Sequence, residues 1–181
     1  VLLAMLLQVD DVVPLQASLN TWRAHYATPA GYRYWPCEAL VRAVGSRRFG
    51  TVLEVGCGNG ANLWFLAEHA EAVIGIDCSR EAIEAAFAYM HSRSVENVAL
   101  QCCDITQLPF SNAKLDGVVD VRTSQHIKWS AHQALYAEYR RIMKPGGWLF
   151  LYNLGRGTTT AGALHLGTFT YDQLPKLFTS R

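Results

Sequence analysis

Residues 52–61 read VLEVGCGNGA, and this stretch decides the fold. Its first four residues form a short, mostly apolar run, which predicts a strand buried inside a sheet. Glycines at positions 56, 58 and 60 follow the run. Because glycine has no Cβ, they allow the backbone to turn sharply into a helix and to approach a ligand closely. The stretch therefore predicts a strand, a ligand-binding loop and a helix in succession.

The chain beyond residue 61 repeats this alternation of strand and helix. Four more buried strands are predicted, at residues 72–76, 98–103, 115–119 and 148–152. A first helix is predicted over residues 62–69. A second begins after a cap at Ser79, and its buried face carries Ile83, Ala86, Phe87 and Met90. A third begins after a capping box of Ser130 and Gln133, and its buried face carries Leu135, Tyr139 and Ile142. Residues 144–147, KPGG, end the last helix. The alternation predicts an α/β fold, a doubly wound and mostly parallel sheet with helices on both faces.

Composition sets limits on partners and location. The 181 residues are enough for one domain, half of them are hydrophobic, and the formal net charge is +1. There is no run of lysine or arginine, so nucleic acid is not an expected partner. The apolar segment 1–7 is too short to cross a bilayer, so no membrane partner is expected. Five cysteines lack metal-ligand spacing, which predicts free thiols in the cytoplasm and no metal site.

Acidic residues stand at or just beyond the predicted strand ends, at Glu54, Asp77, Asp104 and Asp120. In open parallel sheets, ligands bind at the carboxyl ends of the strands, near the point where the strand order reverses. We therefore expect these carboxylates to lie around a ligand.

The glycine loop alone is consistent with two kinds of ligand. Gly56, Gly58 and Ala61 fit the fingerprint of dinucleotide-binding proteins, in which an acidic residue such as Asp77 binds a ribose. Glu54, however, places a carboxylate beside the loop. A carboxylate is unfavourable next to a pyrophosphate and favourable next to a cofactor that carries a sulfonium and an amino group. A NAD-dependent oxidoreductase is therefore the weaker alternative.

Five motifs in the same order resemble those of the class I S-adenosylmethionine (SAM)-dependent methyltransferases, at residues 52–60, 76–77, 103–105, 115–120 and 141–147. The resemblance implies that the glycine loop contacts the methionine part of SAM, that Asp77 binds the ribose, and that Asp104 and Ile105 border the adenine. The residues expected at the cofactor are Glu54, Gly56, Cys57, Gly58, Asn59, Gly60, Asp77, Cys78, Asp104, Ile105 and Asp120. The resemblance also implies a helical lead-in and cap over residues 1–50 and a SAM-binding Rossmann-like domain over residues 51–181.

The flanks of these motifs are similar to small-molecule methyltransferases, at residues 22–26, 34–42, 124–126 and 168–178. This similarity implies methyl transfer to an O, N or C atom of a small acceptor. His126 and Asp120 are the candidate catalytic bases, because an acceptor that must lose a proton needs one. Tyr26, Tyr34 and Gln125 are the candidate acceptor contacts. A non-catalytic SAM-binding domain is the alternative from a different functional class.

The class I sheet usually has two more strands after the segment that matches residues 172–178. The sequence ends at Arg181, so we expect a fragment that is truncated at its C-terminus and a sheet that lacks those last two strands. The predicted strand 148–152 would then have an open edge, and open edges invite pairing with another chain. We therefore expect self-association unless the apolar segment 1–7 covers this edge.

Overall fold

The structure is a computed structural model that describes residues 7–8, 16–127, 131–154 and 166–167. Its helices are α1 (Gln16–Tyr26), α2 (Glu38–Val44), α3 (Leu63–Ala67), α4 (Arg80–Ser92) and α5 (His132–Ile142). Its strands are β1 (Leu7–Gln8), β2 (Phe49–Val55), β3 (Ala70–Asp77), β4 (Val98–Cys102), β5 (Leu115–Val121), β6 (Met143–Leu154) and β7 (Leu166–Gly167). Short 3₁₀ turns occupy Pro29–Gly31 and Ser124–His126. Among the described helices, none is long and apolar enough to cross a membrane.

The strands form one sheet in the order β1-β4-β3-β2-β5-β6-β7. All neighbours are parallel except β6 and β7, which are antiparallel. The chain runs outward from β2 through β3 to β4 and then returns to place β5 on the other side of β2. The strand order therefore reverses between β2 and β5, and the predicted doubly wound parallel sheet is confirmed.

Two hydrophobic clusters cover the two faces of the sheet. Alternate residues of β2 point to opposite faces, so Val52 packs in one cluster while Leu53 and Val55 pack in the other. The first cluster takes side chains from α2, α3 and α4, and the second takes them from α5. Helices therefore lie on both faces, and the strands are buried between them.

Details of the helices differ from the sequence-based predictions. The buried stripe of α4 contains Ile83, Ala86 and Met90, but the prediction for Phe87 is wrong, because its ring is 42% exposed and stacks on His91 instead. The helix after the glycine loop is only five residues long. Helix α5 follows an N-cap at Ala131, which makes no side-chain capping bond, and the proposed cap at residue 130 lies outside the described residues.

The two edges of the sheet show whether segment 1–7 covers the strand at residues 148–152, which was predicted to have an open edge. Leu7 and Gln8 pair with Gln101 and Cys102 of β4, at the edge of the sheet opposite β6. The idea that segment 1–7 covers residues 148–152 is therefore wrong for its described end. On the outer side of β6, β7 pairs with residues 153–154. The sequence pattern at 168–178 lies outside the described residues.

Candidate cofactor and acceptor site

A cavity of about 590 Å³ opens at the carboxyl ends of the central strands. The register brings these ends together, because Val55 at the end of β2 is paired with Ile76 of β3 and with Asp120 of β5. Helix α1 contributes Leu19, Trp22 and Tyr26 to the opposite wall. Of the residues predicted at the cofactor, the cavity is lined by Glu54, Gly56, Cys57, Gly58, Asn59, Asp77, Cys78, Asp104 and Ile105.

The backbone of the glycine loop lies directly against this cavity. Gly58 has a φ of +55°, a conformation that residues with a Cβ rarely adopt. A Cβ on Gly58 would also collide with the hydroxyl of Tyr26. The loop therefore needs glycine at position 58 for two reasons, and the phenol of Tyr26 lies over the loop.

Asp77 closes the loop from the end of β3. Its carboxylate accepts hydrogen bonds from the backbone N–H of Gly58 at 3.0 Å and of Ser79 at 2.9 Å, one on each oxygen. Burial raises the pKa of Asp77, while these backbone bonds act in the opposite direction. Each carboxylate oxygen has a second acceptor position, so the side chain can hold the loop and still receive ligand hydroxyl groups.

Glu54 is the buried carboxyl group beneath the loop, with 1% of its surface exposed. Its Oε1 accepts a hydrogen bond of 2.6 Å from Nδ2 of Asn62, and its Oε2 has no partner among the described residues. Burial raises its pKa from 4.5 to about 8; the bond from Asn62 opposes this shift, and the charge of Asp77 adds to it. A buried acceptor without a partner is costly, so this position favours a ligand that brings a positive charge or a donor.

Asp104 and Ile105 lie at the far end of the cavity, after β4. One oxygen of Asp104 accepts hydrogen bonds from the backbone N–H and the hydroxyl of Thr106, both at 2.8 Å. The Asp104 side chain therefore shapes this turn while also lining the cavity. Ile105 is buried and adds an apolar wall.

The prediction that Asp120 contacts a cofactor or acceptor is wrong. Its side chain is fully buried behind the cavity wall. Oδ1 accepts from the backbone N–H groups of Thr123 and Ser124 at 3.0 and 3.2 Å, and Oδ2 accepts from the Tyr139 hydroxyl at 3.1 Å. Three donors satisfy the carboxylate, which anchors the loop after β5 instead.

Two further predictions are corrected in the same way. Gly60 turns away from the cavity, because a Cβ there would meet Met90 and Ala86 of α4. Tyr34 is 49% exposed, and its ring lies against Tyr89 at 5.8 Å on the surface, outside the cavity wall. Gly60 is therefore a packing residue and Tyr34 a surface residue.

The remaining candidates, Tyr26, Gln125 and His126, all line the cavity. The ring of His126 meets Trp22 edge to face at 4.8 Å, and its Nε2 lies 3.2 Å from Nε2 of Gln125. Burial lowers the pKa of His126. The imidazole is therefore neutral near pH 7 and able to accept a proton.

Four residues that were not predicted as site residues also line the cavity: Arg33, Asn62, Arg122 and Thr123. Asn62 follows the glycine loop directly, so its position was a usable signal. Arg122 has a φ of +63°, a conformation that its residue type does not indicate. Within the described ranges, no three side chains able to ligate a metal come together.

Comparison with known proteins identifies the family. A family model described as a methyltransferase domain matches residues 52–147, more than half of the chain. The chain belongs to the methyltransferase domain family. The class I SAM-dependent resemblance drawn from the sequence is thereby confirmed, with SAM as the cofactor of that family.

Relatives of the methyltransferase domain include two curated O-methyltransferases. The malonyl-[acyl-carrier protein] O-methyltransferase of Herminiimonas arsenicoxydans is 29% identical over 168 residues, covering 92% of this chain and 59% of that protein. The ubiquinone biosynthesis O-methyltransferase of Coxiella burnetii is 29% identical over 126 residues, covering 69% of this chain and 53% of that protein. The chain thus spans between half and three fifths of the length of these relatives.

A solved structure shows the same fold. The DhpI-SAM-HEP complex superposes with a TM-score of 0.62 at 22% identity, covering 77% of this chain and 65% of that chain. The cavity of the methyltransferase domain also fits SAM on its own chemistry. The unpartnered Oε2 of Glu54 suits the positive charges of the methionine part, and the Asp77 carboxylate, which lines the cavity, suits ribose hydroxyls.

Proposed function

We propose that this domain catalyses methyl transfer from SAM to an O, N or C atom of a small-molecule acceptor. One observation carries the proposal: the buried Glu54 carboxyl, with an unpartnered Oε2, lines the cavity that the glycine loop and Asp77 also line. A positively charged ligand favours the carboxylate form of Glu54, whereas a dinucleotide would bring the negative charge of a pyrophosphate to this loop. The names of the two curated relatives make oxygen the first acceptor atom to test.

The residues divide into groups with different tasks. Asp77 accepts ribose hydroxyls, Asp104 and Ile105 border the adenine, and Glu54 neutralises positive charge near the glycine loop. When bound, SAM supplies a methyl group on a positively charged sulfur, open to in-line displacement by the acceptor. The protein's own contribution is to hold the two reactants in line and to keep water out.

The acceptor side of the cavity is formed by α1 and the turn after β5. Trp22 and Tyr26 present aromatic surface there, and Gln125 offers an amide for hydrogen bonding. His126 accepts the proton of an acceptor hydroxyl at its imidazole, because its lowered pKa leaves one ring nitrogen unprotonated near pH 7. We assign residues 1–50 to a lead-in and cap over the site and residues 51–181 to the SAM-binding part.

A non-catalytic SAM-binding domain is the competing proposal, and one experiment separates the two. The purified protein is first titrated with SAM by calorimetry. It is then incubated with SAM and a panel of small carboxylic acids, phenols and amines, and S-adenosylhomocysteine (SAH) is measured by mass spectrometry. We expect SAM binding together with acceptor-dependent SAH release. Binding without release for any acceptor class supports the non-catalytic domain, and no binding refutes both.

The proposal also covers the cellular location of the protein and its self-association. All five cysteines are free thiols, which supports a reducing compartment such as the cytoplasm. Residues 148–152 of β6 have no strand paired on their outer side within the described part of the chain, which supports self-association through this edge. Sedimentation over a range of concentrations tests the second point, and a monomer at every concentration would contradict it.

A further inference from the structure

A second cavity, of about 370 Å³, adjoins the first. It lies between the segment 33–42 and the ends of β5 and β6. Arg33, Asn62 and Arg122 line both cavities, so these side chains form a shared wall. A ligand in the second cavity therefore lies next to the proposed cofactor and acceptor site.

Arg122 has a fixed backbone and a side chain in which one hydrogen-bond donor has no acceptor within the described part of the chain. Its N–H donates a 2.7 Å hydrogen bond to the carbonyl of Tyr152, and its φ is +63°. The guanidinium lies 5.9 Å from the centre of the Tyr152 ring. Its Nε is buried and has no hydrogen-bond partner among the described residues. A buried guanidinium donor without an acceptor favours a ligand that brings one.

Arg33 reaches the same wall from the other side. The side chain of Asn59 clamps its backbone twice: Oδ1 accepts from the Arg33 N–H at 3.0 Å, and Nδ2 donates to the Arg33 carbonyl at 2.6 Å. The clamp fixes the point from which the Arg33 side chain extends. It also ties this arginine to the glycine loop.

The charges around the second cavity do not cancel. Arg42 forms an ion pair of 2.6 Å with Glu38 on the same wall, so these two residues neutralise each other. Glu38 is the one acidic residue among the described residues that line this cavity. Arg33 and Arg122 therefore remain as two positive charges without a carboxylate partner in the wall.

We propose that the second cavity binds an anionic group, a carboxylate or phosphate, carried by the methyl acceptor. This inference rests on the proposed function, because it names the class of acceptor. Two arginines in the lining supply positive charge and hydrogen-bond donors for such an anion. The volume exceeds what one carboxylate needs, so the cavity has room for part of the acceptor skeleton as well. The acceptor would then extend from this cavity across the shared wall towards His126.

The test uses SAH to fill the cofactor site, with malonate and inorganic phosphate as anionic probes and malonamide as a neutral probe. Calorimetry of the SAH-loaded protein should show binding of at least one anion and at least about tenfold weaker binding of malonamide. R122Q and R33Q should each weaken anion binding about tenfold and change the affinity for SAH much less than that. R47Q is the matched control, because Arg47 is exposed and lies outside both cavities.

Each other result overturns the inference. The site is ruled out if neither anion binds, or if the anions bind R122Q and R33Q as tightly as the unmodified protein, provided circular dichroism shows that the variants are folded. If the anions compete with SAH and both variants lose SAH affinity, the arginines hold the cofactor's own carboxylate instead of the acceptor. If SAH does not bind at all, the proposed function fails. Titrating the free protein and R122Q with malonate then decides separately whether the anion site exists.

Discussion

Asn62 donates a hydrogen bond of 2.6 Å from its Nδ2 to Oε1 of Glu54, and both side chains are buried. The Oδ1 of the same amide accepts from the backbone N–H of Cys37, just before α2, at 2.7 Å. Asn62 therefore joins three parts of the chain: the glycine-loop helix, the central strand and the N-terminal cap. It also holds the Glu54 carboxyl in one orientation, with Oε2 left for a ligand.

SAM binding should release a proton from Glu54. Burial raises the pKa of Glu54 to about 8, so the free protein carries a protonated carboxyl at pH 6.5. A positive cofactor nearby favours the carboxylate and lowers this pKa, which drives the proton off. Calorimetry of SAM binding in buffers of different ionisation enthalpy should show release of about one proton. E54Q should bind SAM more weakly and release none; equal release from E54Q would assign the proton to another group.

The same group makes the stability of the free protein depend on pH. The pKa of Glu54 is higher in the folded state, about 8, than its ordinary value of 4.5. The folded state therefore binds more protons between these values, and the free energy of unfolding falls as the pH rises through this window. Urea denaturation without cofactor at about pH 5 and about pH 8 should show this loss. The loss should be smaller in E54Q, and an equal loss would exclude Glu54 as its source.

Alanine substitutions at Gly58 and Gly146 distinguish the cost of backbone strain from the exclusion of SAM by an added methyl group. Both have a positive φ, +55° and +78°, but a Cβ on Gly58 would meet Tyr26 whereas a Cβ on Gly146 would meet nothing within 4 Å. We expect G146A to cost about 1 kcal/mol of stability and to leave SAM affinity unchanged. G58A should cost at least as much and also abolish SAM binding, because the added methyl group occupies the loop surface. Calorimetry measures the affinity for SAM and urea denaturation measures the stability. If a folded G58A variant binds SAM normally, SAM does not bind against this loop.

Asp77 should contribute strongly to SAM affinity. D77N keeps an oxygen for one of the two backbone amides but removes the charge and one acceptor. We expect a loss of about 1.5–3 kcal/mol in SAM binding, roughly tenfold to a hundredfold in affinity. E84Q makes the same change of charge at an exposed position of α4 outside the cavity and should bind SAM as the unmodified protein does. Unchanged binding in D77N would remove Asp77 from the cofactor site.

Local patterns were sufficient to predict the five central strands, the glycine loop and the position of Asp77, because each depends on residues close together in the sequence. The role of Asp120 was not predictable in this way. A strand-end position does not show whether a carboxylate faces the cavity, and one of the three donors to Asp120 is the Tyr139 hydroxyl, which comes from α5. Arg122 was missed because its left-handed backbone depends on the pairing of β5 and β6. The roles of Asp120 and Arg122 thus depend on contacts between distant segments, which local patterns do not show.

Tyr139 should stabilise the fold through Asp120 without affecting the cofactor. Y139F removes the hydroxyl that donates to the buried Asp120 Oδ2, so it should cost about 1–3 kcal/mol in the free energy of unfolding. Y136F removes a longer bond of 3.3 Å to the neutral hydroxyl of Ser124 and should cost less. Urea denaturation measures the difference, with SAM affinity unchanged in both variants. A marked loss of SAM affinity in a folded Y139F variant would indicate that Asp120 does contribute to the cofactor site.

His126 should act as the proton acceptor when the acceptor atom belongs to a hydroxyl group. Its pKa is lowered by burial, so turnover should rise with pH through a value below 6.5 and then level off, because only the neutral imidazole accepts a proton. H126Q should lose turnover by about 10²–10⁴-fold and lose this pH dependence, while its affinity for SAM stays unchanged. H25Q is the matched control, because His25 lines the same cavity and contacts the same Trp22 ring. Steady-state SAH release across this pH range makes the comparison. If H126Q and H25Q lose turnover equally and both keep the pH profile, the two histidines only shape the acceptor wall, and the proton leaves by another route.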